Sequence, residues 1–156
     1  ARSLVDVDVH FASARSEADA EAVLDALEAL GNADGVEGTL RGFLLGDLVT
    51  RCVAAATPQA LDQALYLIDH RGARADVQVT AHHTDGSVLY GAHALAHAAH
   101  ACKAEAVEAL ARRPKALALV DTPCGRHGAR PIHLACAAAA SGRRGAMETV
   151  VALVAA

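Results

Sequence analysis

Gly128-Ala129-Arg130-Pro131-Ile132-His133-Leu134-Ala135-Cys136 is the stretch that decides the fold. A glycine turn leads into a proline suited to the first helical position, and a short apolar helix carrying a histidine follows. Beyond a polar insert, Ser141-Gly142-Arg143-Arg144-Gly145, a second amphipathic helix runs through Met147-Glu148-Thr149-Val150-Val151-Ala152-Leu153-Val154. One such helix-turn-helix unit is too thin to bury its own apolar face, so the chain needs further copies for it to stack upon.

Copies are found upstream. From Gly91, apolar Leu95, Ala98, Ala99 and Cys102 precede a helix with Val107 and Leu110. In that helix Glu108 and Arg112 stand four apart in the favourable order, Arg113 suits the last turn, and Pro114 stops it. Subtracting 91 from 128 sets these two units 37 residues apart. Further back, Leu45, Leu48, Val49, Cys52 and Val53 mark one helical face, and Thr57-Pro58 caps a second helix with Leu61, Ala64, Leu65 and Ile68 before Gly72. The stretch from Ala73 to Tyr90 reads as a polar, irregular finger, and residues 32 to 42, with Gly35, Gly38 and Gly42, as a loop. Ser16 and Asp19 open a helix with Val23, Leu24, Leu27 and Leu30 that Gly31 closes, and a short helix surrounds His10.

Composition bounds the rest. The 156 residues are 53% hydrophobic and 21% charged but only 3% aromatic, so the core must be Leu, Val and Ala between closely packed helices. A net charge of -4 gives no general attraction to nucleic acid or to an anionic membrane. Cys52, Cys102, Cys124 and Cys136 form no CxxC pair and read as reduced residues of an intracellular protein, cytoplasmic or nuclear. No apolar run reaches the ~18 residues of a membrane span. The first residue is Ala, as in an excerpt of a longer polypeptide.

Four helix pairs, each opened by a turn and closed by Gly or Pro, resemble the ankyrin-repeat family, whose units of about 33 residues begin Gly-x-Thr-Pro-Leu-His-x-Ala-Ala. The stretch Gly128 to Cys136 follows that start, with Arg130 for Thr, Ile132 for Leu and Cys136 for Ala. Gly91-Ala92-His93-Ala94-Leu95-Ala96-His97-Ala98-Ala99 follows it with Ala96 in the place of the family His. Gly72-Ala73 keeps the family's Gly-Ala ending, and Val9-His10-Phe11-Ala12 stands for Leu-His-Leu-Ala. The resemblance implies an all-α ankyrin-repeat solenoid of about four stacked helix-turn-helix units, approximately 1–42, 43–85, 86–122 and 123–156, with short finger loops, in a single domain. Neighbouring units would then stabilise one another. Both ends read as uncapped, since Val150, Val151, Leu153 and Val154 run on without a polar outer helix. His133, and likewise His10, are implied to bond the backbone of the adjoining turn.

Function follows as expectation. No nucleophile elbow, zinc-protease motif, P-loop or dinucleotide fingerprint occurs, so the reading is non-enzymatic, with no cofactor and no small-molecule substrate. The family makes its contacts through fingers and the exposed side of each first helix. Matched here, a protein partner would meet Leu89, Tyr90, His97 and His100, then Arg126, His127, Leu134 and Ala137, with Tyr90 as anchor. His93, His97 and His100 fall within ~60° of one helix face and are expected to form an exposed ridge, making binding sensitive between about pH 5.5 and 7.5. A zinc-binding alternative would use His93 and His97, with His100 or a loop residue such as His82 or His83 completing the site. Another alternative is an architectural subunit of a large assembly. The arginines near the last unit lack the interleaved aromatics of a nucleic-acid groove.

Overall fold

The computed structural model describes residues 36–125 and 127–156. The expected short helix at His10 and the helix closed by Gly31 lie outside these residues. Three helix pairs follow one another: α1 (Val36–Ala55) with α2 (Pro58–His70), α3 (Ala94–His100) with α4 (Ala104–Ala111), and α6 (Pro131–Ala140) with α7 (Ala146–Ala155). Between the second and third pairs lie a short helix α5 (Pro114–Leu117) and a 3₁₀ turn, Ala118–Asp121. The pairs stack, with α3 between α1 and α6, and α4 against α7. Among the described residues no helix is long and apolar enough to cross a membrane.

Each pair turns in the same way. The residue after the first helix, or one further on, adopts a left-handed backbone: Ala56 at φ 59°, Cys102 at 58° and Gly142 at 74°. In the second and third pairs the following amide closes the helix, Lys103 N–H donating to Ala98 O and Arg143 N–H to Ala138 O. That is the six-to-one bond of a helix C-terminal cap, and it aims the next helix back along the first. The second helix of the first pair also begins on a side-chain cap, as Thr57 Oγ1 accepts from Ala60 N–H ahead of Pro58.

The expectation of an all-α solenoid is overturned by an antiparallel hairpin, β1 (Val79–His82) with β2 (Val88–Ala92), in which Val79 faces Ala92 and His82 faces Val88. The Ala73–Tyr90 stretch is ordered, and its alternation carried the signal. Ala73, Ala75, Val77, Val79 and Ala81 are buried while Arg74, Asp76, Gln78, Thr80 and His82 are exposed, a period of two over ten residues. A second finger, in a shorter form, is the single antiparallel bridge of Cys124 with Ala129. Its Gly128-Ala129 corresponds to Gly91-Ala92, and both glycines have positive φ. Twelve residues lie between the bridging residues of the first finger and four in the second, so the first is longer by eight.

From residue 36 onward the expected loop at residues 32 to 42 is also corrected, since α1 begins at Val36 and contains Gly38, Gly42 and Gly46, while residues 32 to 35 lie outside the described residues. Two of these glycines serve packing. The chain returning from α2 crosses α1 so closely that a Cβ on Gly46 would lie 2.5 Å from Val77 Cγ2 and 2.6 Å from the Arg74 carbonyl. At Gly42 the carbonyl accepts from Arg74 N–H, and Thr50 Oγ1 donates to Val77 O at 3.0 Å. Most of the helical faces read from sequence enter the core: Leu45, Leu48, Val49, Ala64, Ile68, Leu95, Val107 and Leu110 are buried, whereas Leu61 and Leu65 are half-buried and Leu67, outside the expected stripe, is buried. On α7, Met147, Val151 and Val154 form an exposed stripe.

Candidate functional site

The eight extra residues of the first finger determine what the histidines of α3 do. The hairpin folds onto α3, so the expected exposed ridge is wrong. His93 and His97 are 1% and 0% exposed, and His100 is half-buried. His93 is the N-cap of α3: its Nδ1 accepts from Ala96 N–H, and its Nε2–H donates to Thr122 O. It therefore ties α3 to the start of the next finger.

His97 lies under the hairpin. A carbonyl only accepts, so His97 Nε2 must carry the proton that bonds Val79 O at 2.8 Å. His97 Nδ1 is then an acceptor, and His83 Nε2–H donates to it at 2.9 Å. The two rings stack at 5.1 Å, and His83 meets His100 edge-on at 4.6 Å. His83 Nδ1 is left buried without a partner. At the hairpin tip the single Ser87 hydroxyl proton goes to Asp85 Oδ1 at 2.6 Å, so His100 Nε2–H donates to Ser87 Oγ at 2.8 Å. That polarity is the reverse of a serine nucleophile held by a histidine base. Arg143 closes the cluster, with Nη1 on His100 O and Nη2 3.4 Å from Asp85.

Charge follows from this packing. Burial pushes His83 down to about 4, helped by His97 and His100, and burial pushes His97 down to about 4 against the pull of the Val79 carbonyl. Burial also lowers His93 and His100. Two hydrogen bonds from Ser87 hold Asp85 down at about 2. His83 and His97 are thus neutral structural groups in the range where an exposed ridge would have titrated. His93, His97 and His100 each have a separate partner, and among the described residues no group of three or more His, Cys, Asp or Glu is arranged to hold a metal ion.

On the other side of β2 the remaining expected contacts come together. Val88, Leu89 and Tyr90 of β2, His127 and Ala129 of the second finger, and Leu134 of α6 surround an open groove of about 270 Å³. Tyr90 is 47% exposed, Leu89 and Leu134 are half-buried, and His127 is exposed. The two walls are held in register by Gly125 N–H donating to Gly91 O. The floor is backed by Ala92, Ala96 and buried Cys124. Of the eight residues expected at a partner surface, Leu89, Tyr90, His127 and Leu134 therefore meet in one place. Ala137 is exposed one turn along α6 from Leu134. His97 and His100 face the hairpin instead, and Arg126 lies outside the described residues.

His133 bonds backbone, its Nδ1 accepting from Arg130 N–H at 3.0 Å. Sequence reading named His83, though as a zinc ligand, and missed Val88 and Ala129 in the groove and Ser87 at the hairpin tip. The period-two alternation of the Ala73–His83 run is the signal that sets His83 on the buried side of the hairpin. Compared with known proteins, the chain matches no family model, no curated protein and no solved structure.

Proposed function

We propose that the chain is a non-enzymatic interaction module that takes a segment of a partner protein into the groove between β2, the second finger and α6. One observation carries this reading: Leu89, Tyr90, His127 and Leu134, from three separate stretches, surround a single apolar depression. Such a depression rimmed by polar residues is where binding energy concentrates, and a half-exposed tyrosine offers large area with little rotamer entropy to lose. The buried histidines hold the hairpin wall in place for that role. We also keep the ankyrin-like reading of the repeats, supported by three helix pairs with the same left-handed turn and by the Gly-Ala that ends each finger. An intracellular setting, cytoplasmic or nuclear, goes with four cysteines that form no disulfide. The architectural alternative has the exposed α7 stripe as its support, and it predicts no groove ligand.

A photo-crosslinking residue placed at Tyr90 should capture a partner segment that the unmodified chain competes away, while the same group at exposed Asp62 should not. Tyr90→Ala should weaken the captured partner by about 1 to 2 kcal/mol. Unchanged affinity in a variant with the native circular dichroism spectrum removes the groove from the contact.

A further inference from the structure

The two stretches of chain that wall the groove carry a net charge opposite in sign to that of the whole sequence. The chain carries 14 Lys and Arg against 18 Asp and Glu. Between Asp85 and Glu105, and again between Asp121 and Glu148, it holds no carboxylate at all. Those two stretches supply both walls of the groove; by sequence they contain Lys103, Arg126, Arg130, Arg143 and Arg144, of which Lys103 borders a separate depression beside Val53 and Pro58. The remaining sequence is left with nine basic residues against all 18 acids.

Among the described residues these charges are compensated only in part. Arg130 spends its Nε–H on the Asp121 carbonyl, a neutral acceptor. Arg143 donates to the His100 carbonyl and is ion-paired at 3.4 Å with Asp85 Oδ2, whose other oxygen accepts both bonds from Ser87. Exposed Arg144 has no ion pair among the described residues. Arg130 and Arg143 flank α6, whose ten residues span about 15 Å. Along that length Leu134, Ala137 and Ser141 line one accessible side. An extended segment covers such a distance in about five residues.

We propose that the groove's partner is an acidic segment of a protein: an apolar side chain seated against Tyr90 and Leu134, flanked within a few residues on either side by Asp or Glu. This rests on the groove reading above and adds its charge. The apolar residue supplies the buried contact, and the carboxylates supply orientation and rate of encounter in a field that repels basic segments. A nucleic acid would present charge without the apolar anchor, and apart from Tyr90 the walls have no aromatic to stack upon.

The test is selection from a displayed library of random twelve-residue peptides, followed by titration of fluorescein-labelled winners. Enriched peptides should combine an apolar residue with nearby Asp or Glu and lose binding with Tyr90→Ala. Their affinity should fall about tenfold between 50 and 300 mM salt. The double variant H127E/R144E should lose them at least tenfold and gain their lysine-substituted counterparts. Enriched peptides that need Tyr90 but show no acidic preference overturn the charge proposal and leave the groove reading standing. Enrichment indifferent to Tyr90→Ala, or none at all, overturns both. Equal binding by poly-glutamate or an oligothymidylate overturns the proposal of an anchored peptide. If the double variant fails to fold, the salt dependence and the Tyr90→Ala loss on the single chain decide the same question.

Discussion

The chemical character of His97 is decided by the atoms it faces. Its helix position is that of a surface residue, yet it lies under β1 with one nitrogen on Val79 O and the other on His83. Both rings are lowered to about 4 from 6.5, so between those values the unfolded chain binds protons that the folded chain refuses. Their stabilising effect is complete above about pH 6.5, fades as pH falls toward 4, and changes no further below that. A shift of this size corresponds to on the order of 3 kcal/mol for one ring, and the two are not additive because they share a bond. Urea midpoints should therefore fall steadily from pH 7 to pH 4.5, and His83→Phe, which keeps an aromatic ring on His97, should make that slope shallower. A midpoint independent of pH would mean that the rings are hydrated and not buried beneath the hairpin. The earlier expectation of partner binding switching between pH 5.5 and 7.5 gives way to an effect on stability at lower pH, because burial has displaced the titration.

Among elements, α1 shows most clearly how tertiary contact overrides local preference. Gly46 costs the helix about 1 kcal/mol relative to alanine, and in isolation Gly46→Ala would stabilise it. Here the new Cβ meets the Arg74 carbonyl at 2.6 Å and Val77 Cγ2 at 2.5 Å, and a backbone carbonyl has little freedom to retreat. Gly46→Ala should destabilise the fold by about 1 to 3 kcal/mol in denaturant unfolding. The opposite sign is expected at Ala56, a non-glycine residue at φ 59° in the turn of the first pair. Ala56→Gly relieves a left-handed strain of about 1 to 2 kcal/mol, less the entropy glycine adds to the unfolded chain, and should raise the midpoint by about 0.5 to 1 kcal/mol. The apolar faces of α1, α2 and α4 are legible in the sequence because burial there recurs at helical spacing. The start of α1 is not, since Gly35, Gly38 and Gly42 read as a loop until the segment that crosses α1 at Gly42 and Gly46 is known. In the candidate site, Leu89, Tyr90, His127 and Leu134 are legible from their place in a repeat. The histidines are not, because nothing local says that an eight-residue finger extension folds back over them.

For the whole molecule the order of the pairs matters more than any one contact. Each pair buries its apolar face on its neighbour, so stability is a chain of interfaces, and the α3–α4 pair carries two of them. The ties that cross these interfaces differ in weight. Arg113 grips Asp69 through two hydrogen bonds between the first and second pairs, but both groups are partly exposed, and such a pair contributes about 0 to 1 kcal/mol. Leu110, fully buried between α4 and its neighbours, should cost about 2 to 5 kcal/mol on Leu110→Ala, because the surrounding alanines are too small to fill the space. In a stack, position decides how far that loss travels. Leu110→Ala should speed amide exchange in α1, α2, α6 and α7 together, since the central pair supports both outer ones. Leu153→Ala, on the last helix, should speed exchange in α6 and α7 while residues 36–70 keep their protection. The same comparison tests the groove, whose walls come from β2 and α6 on either side of the second interface: Leu153→Ala should weaken binding without touching any lining residue. Uniform acceleration of exchange by both variants would make the molecule one cooperative core, and the groove would then be no softer than the helices behind it.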